Sequence, residues 1–293
     1  MIGVEFPLPP PPAEPSEEQW HEMQRIGFEP FFFEWYKFVA SLANVIAFIE
    51  PISPNFRQTH KQSYYVLSGL LHRCARLMFS NVALSFEGEH GETSHIVDRC
   101  LSESAIIIQW ICQKETEERA LRYISSGLKP EVELENQINL RIAQRGGARL
   151  PIETRMLDSI QRTFDAAQMT RDEALNAKKM PDFFQILTAL GNERLEYTVT
   201  QRLASHSVHG SWVSLIIQYL DKTDDADWAF RPRGSALETH INQYVHGIRH
   251  VLNACIAYAN ACFDRADDPF TPLCEDVLEK ILDHYLRAID LGA

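Results

Sequence analysis

The sequence predicts an all-α protein, a multi-helix bundle with long central helices. Three observations lead there. Apolar residues recur at three- and four-residue spacing along extended segments, as at Tyr64, Leu67, Leu71, Cys74, Leu77 and Met78. No alternating β-branched run is long enough for a strand. Capping and breaking residues stand where helices would start and stop, as Ser16 with Gln19, and Gly27 with Pro30.

The chain has 293 residues, enough to bury a sizeable core. Hydrophobic residues are 45% and charged residues 23%, a balance that excludes an unfolded polar chain. A formal net charge of -12 excludes a protein that coats nucleic acid non-specifically and leaves only a local basic cleft for that role. The six cysteines form no C-x-x-C pair and sit in apolar helical patterns, which fits a reduced, cytoplasmic setting. No basic stretch followed by an apolar core marks a secretory signal at the N-terminus. The apolar run from Phe31 to Ile49 carries Glu34 and Lys37, so it reads as a buried helix and not as a membrane span.

Taken in order, residues 1–15 hold six prolines and read as a flexible proline-rich arm. Residues 16–293 read as a single helical domain. The capping box at Ser16 opens a helix to Ile26. Pro30 starts the next, Phe31 to Glu50, which Pro51 and Pro54 end. A long helix follows from Phe56 to Phe86, then a polar loop, Glu87 to Gly91. Ser94 to Ser125 reads as one helix closed by Gly127 and Pro130. Residues 131–150 read as an exposed helix ending in a Gly146-Gly147 loop, and Pro151 to Ala177 as an amphipathic helix. A short helix spans Asp182 to Leu190. One further helix covers Asn192 to Tyr219. After an acidic loop come long helices from Ser235 to Arg265 and from Thr271 to Ile289.

The densest run of reactive side chains is Tyr197 to Gly210. On a regular helix Arg202 sits beside Ser205 and His206, and Ser205 beside His209. A hydroxyl, two imidazoles and a guanidinium are costly to bury unless paired or used. Arg202 and His209 fit the Arg-x4-6-His pattern and resemble the HEPN superfamily of helical ribonucleases and nucleotide-binding proteins, with Leu203 where a polar residue commonly follows the arginine. That resemblance implies a metal-independent endoribonuclease in which His209 takes the proton from a ribose 2′-hydroxyl and Arg202 holds the phosphorane charge. His206 is a second candidate ring in that site. A homodimer, with two motifs facing one cleft, is implied with it.

A second pattern covers more of the chain. Arg99-x3-Glu103 on one helix, then Tyr197 and Ser205-x3-His209-Gly210, resembles an uncharacterised all-helical family of bacterial proteins, a domain of unknown function suspected of a link to phage defence. The resemblance implies that Arg99, Glu103, Tyr197, Ser205 and His209 converge. Two functions are thus expected: the ribonuclease, acting as a toxin or defence effector, or a non-catalytic module that binds a small ligand, nucleotide or protein partner in the same pocket. RNA or a nucleotide is the expected partner.

No cofactor and no metal are expected. Glu89, His90, His95 and Glu103 lack the repeated Glu-x-x-His of a di-iron bundle. His246 and His250 read as a half-solvated face, with Tyr244 and Arg249 beside them as RNA contacts.

Overall fold

The computed structural model describes residues 8–51, 56–57, 59–86, 90–224, 229–264 and 268–293, and only the backbone of Arg202 and Leu203. The fold is all-α. Its helices are α1 (Glu17–Ile26), α2 (Glu29–Ala47), α3 (Lys61–Leu84), α4 (Gly91–Gln113), α5 (Thr116–Gln144), α6 (Pro151–Ala167), α7 (Arg171–Asn176), α8 (Phe183–Ala189), α9 (Arg194–Tyr197), α10 (Ala204–His209), α11 (Trp212–Ser214), α12 (Ile241–Cys262) and α13 (Phe270–Asp290). Two π-helical turns, Thr198–Leu203 and Leu215–Tyr219, join the short helices, and β1 (Leu220–Lys222) pairs with β2 (Phe230–Pro232).

The main core lies where α2, α3, α4 and α12 pack on one another, with α13 laid against α12. α2 is apolar on most sides because it is enclosed by α3 and α12, and Phe32, Val39, Ala40, Leu42, Ala43 and Ile46 are fully buried. α12 approaches α2 closely at Gly247, where an added Cβ would lie 2.9 Å from the Tyr36 ring. The expected capping box forms at Ser16, and Gly27 ends α1 at φ 110°. Within the proline-rich stretch, Leu8 packs against the core and the Glu14 carboxylate lies 3.0 Å from His284 on α13. Residues 1–7 lie outside the described residues, as do Pro54, Glu89, Trp228 and Arg265.

Several boundaries differ from the sequence reading: α3 starts at Lys61 and not at Phe56, and α12 at Ile241 and not at Ser235. The helix expected from Ser94 to Ser125 is two helices, because Glu115 takes a left-handed conformation (φ 50°) and turns the chain. α5 then runs straight through Gly127 and Pro130. Its C-terminal half is not fully exposed: Val132, Ile138 and Ile142 join Leu128, Ile160, Phe164 and Ala174 in a second, smaller core with α6 and α7. Burial of that face holds the helix against the local preference of its proline. The amphipathic segment from Pro151 is likewise split, at Gln168 (φ 51°), and Thr170 opens α7 with a capping box.

The segment expected as one helix from Asn192 to Tyr219 is broken into α9, a π turn, α10, α11 and a second π turn. Gly210 at φ 56° permits the break. The β1–β2 ribbon is a strand pair that its three-residue strands made invisible to periodicity.

Candidate functional site

α4 carries His95, Asp98, Arg99, Ser102 and Glu103, a set at helical spacing that shares one face. α12 presents Gln243, His246, Arg249 and His250 in the same way. The α9–α10 segment lies over both and supplies Glu196, Thr200 and Ser205. Its π turn at Thr198–Leu203 widens the helix and shifts the faces that follow. Between these three elements lies a cavity of about 140 Å³ whose walls include His95, Asp98, Arg99, Thr200, Gln243 and His246.

The Asp98 carboxyl faces this cavity from α4. It accepts from Asn81 Nδ2 at 2.6 Å and from Gln243 Nε2 at 3.1 Å. Asn81 also donates to the buried Tyr36 hydroxyl at 3.1 Å. Burial pushes the Asp98 carboxyl up to about 7, and the two amide donors only partly oppose this. Gln243 ties the helix starts together, because its amide also donates to the Gly91 carbonyl at 3.2 Å and accepts from the His240 N–H at 3.0 Å. His95 is held below its ordinary value by burial.

Arg99 stands at the cavity wall. Its Nε donates to Glu103 Oε1 at 3.2 Å and its Nη1 to Ser205 Oγ at 2.9 Å. The Ser205 hydroxyl in turn donates a hydrogen bond to the Gln201 carbonyl at 2.7 Å. The structure therefore brings Arg99, Glu103 and Ser205 together. Tyr197 is placed elsewhere: its ring meets Phe184 edge-on at 5.4 Å and lines a separate cavity with Arg194 and Thr198. His206 bonds through Nδ1 to Ser211 Oγ at 2.7 Å and so pins the turn at Gly210. His209 is exposed at the end of α10 and makes no hydrogen bond or ion pair among the described residues. The Arg202 side chain lies outside the described residues.

A third cluster adjoins the cavity. Arg249 Nη2 lies 2.6 Å from Glu196 Oε1, His250 Nε2 lies 3.4 Å from the same oxygen, and the Nε2 atoms of His246 and His250 are 3.0 Å apart. Burial pushes His246 down to about 4 and His250 well below the ordinary imidazole range, with the Arg249 charge adding to both. The half-solvated face expected here is found only in part: His246 and Arg249 are half-buried, whereas His250 and Tyr244 are buried. Sequence reasoning also passed over Asp98, Gln243 and Glu196. The signal available was the polar run at 95, 98, 99 and 102, one helical face inside a core helix.

The model of a family of unknown function, DUF5677, matches residues 64–227, more than half of the chain. The chain belongs to DUF5677. The matched stretch contains α4 and the α9–α10 segment, so it includes Arg99, Glu103, Glu196 and Ser205. It stops before α12, and this DUF5677 protein completes the pocket with Gln243 and His246 from beyond it. No curated protein and no solved structure matches the chain. Among the described residues no helix is long and apolar enough to cross a membrane.

Proposed function

We propose that this DUF5677 protein is a helical binding module that takes a small ligand carrying a phosphate or carboxylate group in the pocket between α4, α10 and α12. The observation that carries this reading is Arg99, a guanidinium on the wall of a cavity of about 140 Å³, positioned by Glu103 and Ser205. Such a charge, held by two partners with donors to spare, suits a planar or tetrahedral anion. Beside it, Asp98 with a carboxyl near neutrality and His95 as a neutral imidazole supply both donors and acceptors for the rest of the ligand. The test is calorimetric titration with nucleoside mono- and diphosphates, sugar phosphates and dicarboxylates. Binding that falls by more than about tenfold in Arg99→Gln supports the reading. A folded wild type that takes none of them, or a variant that binds equally well, overturns it.

One observation favours a second reading, the metal-independent endoribonuclease. The His209 ring is exposed and free of partners among the described residues, so a polymer could reach it. Trp212, Val213, Ile217 and Tyr219 follow it as exposed apolar groups, a surface on which a second copy could close a cleft. Incubation with RNA in EDTA decides it: cleavage leaving 2′,3′-cyclic ends and lost in His209→Ala supports a nuclease, and intact RNA removes it.

A further inference from the structure

Two imidazoles, His250 buried and His246 half-buried, meet a carboxylate between α9 and α12 in a way that neither reading above uses. His246 and His250 are one turn apart on α12 and approach through the same ring nitrogen, Nε2 to Nε2, at 3.0 Å. Their rings stand at 88° to each other. Glu196 reaches them from a separate element, 3.4 Å from His250 Nε2. One donor atom from each of the three side chains lies within 4.8 Å of the others.

Two nitrogens on one zinc-like ion at ordinary bond lengths stand roughly 3.3 Å apart, close to the spacing seen. A hydrogen bond from one ring in its Nε2–H tautomer also gives 3.0 Å, and the Arg249 ion pair also holds Glu196 here; an ion accounts for the convergence of all three donor atoms. Burial keeps both rings neutral at physiological pH, which is the form that ligates. Arg249, 2.6 Å from Glu196 Oε1, supplies the outer hydrogen bond that a ligating carboxylate commonly has.

We propose that Glu196, His246 and His250 form a site for a divalent transition-metal ion of the zinc or cobalt class. Two imidazoles and one carboxylate match that class by ligand type, and they leave coordination positions open. His246 also belongs to the cavity wall, so an ion held there borders the pocket. The proposal does not rest on the anionic-ligand reading and stands if that reading fails. An ion bridging α9 and α12 would also clamp the α9–α10 segment onto the core.

The experiment uses untagged full-length protein, stripped with EDTA, dialysed, and checked by far-UV circular dichroism. It is titrated with Co2+ and with Zn2+ by calorimetry and, for Co2+, by visible absorption. The expected result is one equivalent bound, a raised melting temperature, and an absorption band stronger than that of the hydrated ion. Glu196→Gln and His246→Gln each weaken binding at least ~100-fold, whereas Glu133→Gln, exposed on α5 and away from the pocket, leaves it unchanged. A folded wild type that binds no equivalent, or binding that survives both substitutions, overturns the proposal. Should either variant misfold, the wild-type Co2+ spectrum decides alone: the weak band of the hydrated ion overturns the site.

Discussion

Arg99 on α4 donates a 2.9 Å hydrogen bond to Ser205 on α10, a residue 106 positions away in the chain. With the Arg249–Glu196 pair, it is one of the polar ties between the bundle and the broken segment that covers its pocket. The bond is charge-assisted and part-buried, so it is worth more than an exposed contact. Ser205→Ala is expected to cost about 1 kcal/mol, and a double-mutant cycle with Arg99→Gln to return a coupling of similar size. Urea denaturation of the four proteins measures it. Coupling near zero would mean that α10 is held by its apolar contacts alone.

The start of α4 is expected to tolerate no side chain at Gly91. Its N–H donates to the Leu237 carbonyl at 2.8 Å, and an added Cβ would run into the Glu238 carbonyl, 2.8 Å from its carbon. Those neighbours are backbone and cannot rotate away. Gly91→Ala should therefore destabilise by about 2 kcal/mol or more and lower the melting temperature. Because α4 carries Asp98 and Arg99, ligand affinity should fall with it.

Pro130 lies on the exposed side of α5 and removes one helical hydrogen bond. Pro130→Ala restores that donor and gives up little packing. The variant is expected to be more stable by about 1–3 kcal/mol, read from the urea midpoint. A loss of stability would show that the proline ring shapes the second core around Leu128 and Phe164.

Acid should weaken the fold through His246 and His250. Their folded values lie below the ordinary imidazole value, so the unfolded chain binds protons first as pH falls. Their contribution to stability is full above about pH 6.5 and is lost progressively toward pH 4. Asp98 acts in the opposite sense, because its raised carboxyl keeps a proton in the folded state up to about 7. Comparison of wild type with His246→Gln isolates one imidazole. Between neutral pH and about pH 5 the wild type should lose up to about 2 kcal/mol more than the variant, a ceiling because His246 is only half-buried. Equal pH profiles would show that the ring titrates normally.

Much of the bundle was legible before any coordinates. The apolar residues of α3 and α4 recur at helical spacing and bury one side, those of α2 and α12 bury most sides, and burial is what hydrophobic spacing encodes. The Arg99–Glu103 pair was legible for the same reason, since four residues make one helical turn. What the sequence by itself determined is therefore the local physics: helix period, helix starts at Ser16 and Asp182, and which faces are apolar. Only the tertiary structure decided that α5 runs through Pro130, because the second core that stabilises it is assembled from α6 and α7. Only tertiary packing placed Glu196 against His250, 3.4 Å apart, and shut Asp98 between Asn81 and Gln243. Residues distant in the chain meet through helix crossings and a π turn, and neither leaves a period in the sequence. Desolvation then moves Asp98 up and His250 down, and it follows from what packs around a side chain and not from the side chain itself.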